Sequence, residues 1–510
     1  MRWILAALVS LLIGTAVAVA APCGGVTGVY SGSAKSSDST AIEITLNLLC
    51  DSGEYRAQFF TSAGDFVGMN AAFTDAHFTA KFDTGAALGT VDLLLKGPEL
   101  AGEFDLAGDK GTIELVRKGA ALAADAMTPR IDLTQAQWHQ DLRAFAVELP
   151  SHHANAFFSL SRNEFDAEVA KLDASLDTMN NDERLIGMEQ IVNSIGDGHT
   201  GIMYPGPHKS LPIEITRFGD DFRITAAGDG LTRFLGARIV AIGKTPIEKA
   251  YQRALTITPR GELGGLREGR ALFVLAHGRT LHGLDITPGA DQAAFDLEDT
   301  AGKVTTTVFH SVPEGVTLSR GAQTQMLSEQ QPDKPFWCES LARNRAVYCA
   351  WHSYQDLHAN AQKMFALIDS ARPRKLIIDM RDNGGGDNTV GYAELVKPIE
   401  TRADLNARGR LYVLIGPLTF SAAMNNAAQF QDETAAILAG QTIGERPNSY
   451  QEPRQFRLPN SHLVVRASTL WYAFRKKGPN VVAPDREIIP TWDDVKSGRD
   501  PVMDWVLASS

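Results

Sequence analysis

After Ala20 the 510-residue sequence has no long apolar run: nothing approaches the ~18 uncharged apolar residues that a membrane helix requires. A membrane span beyond the start of the chain is therefore excluded. Cysteine is scarce, at four residues, and no Cys/His spacing or His-Glu-x-x-His motif reads as a zinc site. His152-His153 is the nearest thing to a metal pair, and adjacent residues on a helix or strand point apart. No metal and no cofactor are expected. Positive charge is in deficit, with 49 Lys and Arg against 60 Asp and Glu, a net −11, which disfavours nucleic acid as a partner. The run Gly384-Gly-Gly386 is not followed by Lys-Ser/Thr, so it is not a phosphate-binding loop.

What is present begins with Met1-Arg2, an apolar stretch from Ile4 to Ala20, and the small-residue pattern Ala18-Val-Ala20. Residues 1–20 read as a secretory signal peptide, which predicts an exported protein, periplasmic or secreted. Pro22 before Cys23 breaks the small-residue requirement of a lipid-attachment site. The four cysteines form two near pairs, and in an exported chain Cys23–Cys50 and Cys338–Cys349 are the natural disulfides among three connectivities.

Residues 21–118 alternate apolar and polar side chains, as in Ala41-Ile-Glu-Ile-Thr-Leu-Asn-Leu-Leu, between turns rich in Gly, Asp and Ser. This predicts an antiparallel β-barrel or sandwich. An Ala-rich stretch over 119–130 reads as a linker. Residues 131–205 carry three helical stripes: Trp138, Leu142, Phe145 and Leu149; Phe165, Val169, Leu172 and Leu176; Leu185, Met188, Ile191 and Ile195. The first two follow capping-box patterns at Thr134–Gln137 and Ser161–Glu164. Residues 206–315 form an α+β module whose segment 236–250 resembles the second half of a PDZ-like domain, and its stretch Arg260–Arg270 reads as a mobile loop or lid. From 316 to 510, apolar strands alternate with helices, which predicts a mostly parallel sheet.

Three segments of this chain carry chemistry. Leu411–Ile415 reads as a buried strand, and Ser421 follows it at the head of an Ala-rich helix. A hydroxyl there projects from the carboxyl end of a sheet, beside free N–H groups that favour negative charge. Taken alone, Ser421 is an ordinary N-cap. Gly384-Gly-Gly386 follows a second buried strand and lets the backbone approach a ligand closely. His199 lies in Asp197-Gly-His-Thr200, just beyond the third helical stripe, and histidine is the usual base for a serine.

Together these segments resemble the tail-specific (C-terminal processing) serine proteases, on the branch that includes the tricorn-core-like enzymes. The residues that carry the resemblance are Asp197–Thr200, Leu376-Ile-Ile-Asp-Met-Arg-Asp-Asn-Gly-Gly-Gly386 and Thr419-Phe-Ser-Ala-Ala423, within roughly 130–508. The resemblance implies a ClpP/crotonase-like core and a serine endopeptidase acting on peptides or proteins through an acyl-enzyme. It implies Ser421 as nucleophile, His199 as general base, and the N–H groups of Gly385 and Ala422 as the oxyanion hole.

In the processing branch a lysine in a Gly-Lys-Gly context activates the serine. The segment here is Gly444-Glu-Arg-Pro-Asn448, and Arg446 stays protonated, so it cannot serve as a base. That favours a Ser-His pair over a Ser-Lys dyad, the latter needing Lys476 or Lys477 from a shifted position. The tricorn branch has a serine before its histidine, whereas this chain has Gly198. Glu445 and Asp485 are the candidates to orient His199. The rival expectation is a non-catalytic protein on the same scaffold, binding peptides or apolar ligands. Substrate identity and oligomeric state are not legible in the sequence.

Overall fold

A computed structural model describes residues 23–509 except 24, 36–40, 52, 63, 84–87, 107–108, 127, 204–208, 314, 321–326 and 476–477. The expected signal peptide, and the lysines of the Ser-Lys alternative, lie outside the described residues. The chain divides into two compact units, residues 1–126 and 127–510.

The first unit is a closed barrel of eight antiparallel strands in sequence order: β1 Gly28–Lys35, β2 Ala41–Asp51, β3 Glu54–Thr61, β4 Asp65–Thr74, β5 His77–Asp83, β6 Leu88–Lys96, β7 Glu99–Leu106 and β8 Asp109–Gly119. Pairing of β1 with β8 closes it, which removes the exposed sheet edges. Strict alternation explains the curvature: Ile44, Leu46 and Leu48 on β2, and Phe78, Ala80 and Phe82 on β5, are buried inward. Cys23 and Cys50 are disulfide-bonded. The expected linker is partly fixed, because Leu122 exchanges backbone hydrogen bonds with the buried Asn47 side chain and Gln58 donates to the Ala124 carbonyl.

The second unit opens with the helices α1 Gln135–His152, α2 Arg162–Ser175 and α3 Asn181–Ser194. All three begin with complete capping boxes, at Thr134/Gln137, Ser161/Glu164 and Asn180/Glu183. Their stripes bury Trp138, Phe145, Phe165, Leu185 and Met188, each worth roughly 1.5–3 kcal/mol over exposure. Part of what they pack against comes from far along the chain. Leu458, Leu463, Val465 and Ala467 belong to a hairpin, Asn448–Arg457 with Val464–Ala473, that leaves the C-terminal core segment. Its second strand pairs with Gly201–Met203, the strand just after His199. The domain boundary expected at 316 thus misses a segment that the helical region claims through its apolar face.

The module between holds five main antiparallel strands in the order Ile213–Phe218, Asp221–Ala227, Arg238–Ile242, Gln292–Glu298, Val304–His310, packed against helices Ile247–Leu255 and Gly264–Val274. The expected mobile stretch Arg260–Arg270 is corrected here, since most of it is the start of that second helix.

The C-terminal sheet has six strands: Phe336–Leu341, Ala346–Trp351, Lys375–Asp379, Leu411–Ile415, Ile437–Gly440 and Arg486–Glu487. All neighbours are parallel except the first pair, where Cys338 sits opposite Cys349 and is disulfide-bonded to it. Helices Leu357–Ala371 and Ala422–Glu433 contribute to its apolar core. No helix among the described residues is long and apolar enough to cross a membrane.

Candidate active site

The strand Leu411–Ile415 ends in a turn stapled by Thr419, whose hydroxyl donates to the Met380 carbonyl and accepts the Gly416 N–H. Ser421 follows at the N-cap of helix Ala422–Glu433, with φ 55° and ψ −124°. This is a sparsely populated conformation for a non-glycine residue, of the kind that costs ~1–3 kcal/mol and persists only where surroundings impose it. Its side chain makes no cap hydrogen bond. Oγ lies instead 3.1 Å from Nε2 of His199, across 222 residues of sequence.

His199 reaches this point on a tightly fixed loop. Asp197 accepts the N–H groups of His199 and Thr200, the hydroxyl of Ser468, and a 2.8 Å hydrogen bond from His153. Burial opposes ionisation of Asp197, but the partners His153, Ser468 and Thr200 outweigh it and hold the carboxyl below its ordinary value. The adjacent histidines point apart: His153 is buried on Asp197, and His152 stacks on Phe456. The imidazole of His199 stacks on Phe420, 4.6 Å between centroids. Burial, aided by the positive charges of Arg466 and Arg270 and opposed by Asp197, pushes His199 down to about 4. The ring is therefore neutral near pH 7, as a general base must be.

Of the two acidic candidates, only Glu445 reaches the histidine. Its Oε2 accepts the N–H of Ser421, and its Oε1 lies 3.4 Å from Nδ1 of His199. These two facing atoms are buried without another hydrogen-bond partner. Burial, reinforced by Glu262, raises the Glu445 carboxyl well above its ordinary value. Asp485 sits elsewhere, accepting the Leu438 N–H at 2.9 Å and facing Arg408, so the expectation that it might orient His199 is corrected.

The glycine loop is pressed against the serine. Gly385 has φ 107°, and a Cβ there would lie 2.7 Å from Cβ of Ser421 and 3.2 Å from the Ala422 nitrogen. Both conformation and space require glycine. Its N–H, expected as an oxyanion donor, donates to Oδ1 of the buried Asn383, 2.9 Å away, and so has a partner already. Asn383 also accepts the Phe420 N–H on its carbonyl and so joins the two loops.

Sequence reasoning missed Glu262, Arg270 and Asn383. Glu262 accepts the N–H groups of Gly198 and Arg446, and burial raises it to about 7. Arg270 donates to the Gly198 carbonyl and lies over the Phe420 ring. Glu262 and Arg270 act through long-range contacts with no local spacing to mark them, whereas Asn383 lies two residues before Gly385 inside the glycine motif itself. Among the described residues no group of three or more His, Cys, Asp or Glu could hold a metal ion.

No family model and no curated protein matches the sequence. Solved structures do. Mature CPAF complexed with lactacystin overlays with a TM-score of 0.51 at 11% identity, covering 73% of this chain and 97% of that one. The fold is similar to that of CPAF. A CPAF mutant overlays similarly, at 0.52 and 12% identity over 74% of this chain and 98% of its own. The photosystem II D1 C-terminal processing protease overlays at 0.34 and 15% identity, over 70% of this chain and 94% of its own. Beyond the fold shared with CPAF, the chemistry rests on this chain's own side chains.

Proposed function

We propose that this protein is a serine endopeptidase with Ser421 as nucleophile, His199 as general base and Glu445 as the residue that orients the base. The observation that carries the reading is the 3.1 Å approach of Ser421 Oγ to His199 Nε2, with the serine held at positive φ over a helix N-terminus. The Ser421 proton passes to Nε2 as Oγ attacks a peptide carbonyl carbon. Ala422 N–H, and Gly385 N–H once it leaves Asn383, would receive the oxyanion; loss of one such donor typically costs ~2.7–4 kcal/mol. Nε2 then returns the proton to the leaving amine as the C–N bond breaks. Water, deprotonated by the same nitrogen, releases the acyl group.

The two disulfides support export to an oxidising compartment, periplasmic or secreted. The module over 206–315, with its strand, turn and helix at Arg238–Leu255, is proposed as PDZ-like and as a wall of the cleft. The engagement of Gly385 N–H by Asn383 also favours a second reading, a scaffold that binds peptides without cleaving them.

Fluorophosphonate labelling of the mature protein separates the two. Stoichiometric modification at Ser421, lost in His199→Ala, is the expected result. A folded sample that takes up no label would overturn the peptidase reading.

A further inference from the structure

The barrel is packed at one end and hollow at the other. Toward the first end Tyr30, Leu46, Leu48, Phe78, Leu93 and Leu115 fill the lumen and are at most 1% exposed. At the end where β1 finishes and β2 begins, a cavity of about 250 Å³ remains, walled by Phe59, Phe66, Phe82, Phe104, Ile44 and Ile113 among others. An eight-stranded barrel can be filled completely by side chains or can hold one small ligand. Among the described residues, no side chain fills this end of the lumen.

The cause of the hollow is visible in two glycines. On β6 and β8 the inward alternation falls on Gly89 and Gly111. A Cβ on Gly89 would lie 2.3 Å from the Phe82 ring, and one on Gly111 would lie 2.4 Å from the Phe104 ring. Both rings therefore lie back against the barrel wall instead of crossing the lumen. Phe66 stacks on Phe59 and Phe82 at 5.1 and 4.7 Å, extending the aromatic lining. An unfilled apolar cavity is destabilising, and cavities lined this way stay dry and take up apolar molecules.

We propose that this lumen is a binding site for one uncharged apolar molecule. Its size follows from the volume: at roughly 30 Å³ per water-sized group, it accommodates about eight, a short alkyl chain or two fused aromatic rings. Its neutrality follows from the lining. Among the described residues, Thr61 and Asp65 supply the polar side chains there, and no Lys, Arg or His lines the cavity to pair with an anionic head group. The Thr61 hydroxyl is turned to the Gly64 carbonyl, 2.6 Å away.

Isothermal titration of the full-length protein with octan-1-ol, naphthalene and octanoate tests this. The expected result is one saturable site per chain for the two neutral probes, with octanoate at least about tenfold weaker. Ala34→Leu and Val91→Phe, which place bulk in the lumen, should each weaken octan-1-ol by about tenfold or more while far-UV circular dichroism stays native. Phe66→Leu, a shortening that opens the same lumen, should retain binding, so a misfolded filling variant does not decide the matter alone. No saturable binding of either neutral probe up to its solubility limit would overturn the proposal. So would octan-1-ol affinity that is unchanged in both correctly folded filling variants.

Discussion

Glu445 meets His199 and the serine backbone with different oxygens: Oε1 faces Nδ1 at 3.4 Å while Oε2 takes the N–H of Ser421. In the proposed mechanism this one carboxyl group would both orient the base and position the nucleophile. Replacing it by glutamine keeps an oxygen for the Ser421 N–H but puts an amide NH2 in place of the carboxyl oxygen that faces Nδ1. Glu445→Gln is expected to lower kcat by ~10²–10⁴-fold with KM little changed. Asp485→Asn, measured alongside it, should stay within about twofold of wild type, because Asp485 caps Leu438 and not the site.

Gly385 admits no side chain. Gly385→Ala places a methyl 2.7 Å from Cβ of Ser421 at a φ of 107°. Activity should fall by ~10²-fold or more, since small misplacement of the nucleophile or an oxyanion donor is costly. Steady-state kinetics and a thermal melt check both effects.

Ser421 trades stability for position. A glycine tolerates φ 55° without strain, so Ser421→Gly should raise stability by about 1 kcal/mol while eliminating turnover. Differential scanning calorimetry of the variant beside wild type reads the shift; a loss of stability would mean the conformation is not strained.

The pH profile follows from burial of the base. His199 titrates near 4 instead of 6.5 in the folded protein, so the acid limb of kcat/KM should lie near pH 4. The sign for stability is the same: between 6.5 and about 4 the unfolded chain takes a proton that the folded ring refuses, so this group destabilises the fold as pH falls through that window. An acid limb at 6.5 would show that the imidazole is solvated in the working enzyme.

The meeting of Ser421, His199 and Gly385 and both disulfide pairings were legible because each residue sits in a local pattern, a strand–turn–helix junction, a glycine turn or a near cysteine pair. The capped helices were legible for the same reason. The choice between Glu445 and Asp485 was not, since both are acidic residues after the nucleophile and only the turn of the backbone decides which one meets Nδ1. Glu262 and Arg270 were read as part of a loose loop because Gly and charge dominate that stretch; burial against Gly198 and Phe420 makes it a helix start instead. Gly198 itself gains a reason. A Cβ there would come within 3.0 Å of the Phe420 ring and 3.4 Å of Glu262, so the stacked ring leaves little room for a serine before the histidine.

The pairing of Val464–Arg466 with Gly201–Met203 bears on how the molecule is made. Synthesis delivers the histidine early and the serine much later, but the strand that secures the histidine loop is made after both. Until Arg466 and Ser468 have left the ribosome, Gly201–Met203 lacks its partner strand and Asp197 lacks one of its hydrogen bonds. A chain still being translated therefore lacks the strand that holds the histidine loop, and a truncated product that ends between Ser421 and Val464 is expected to be inert.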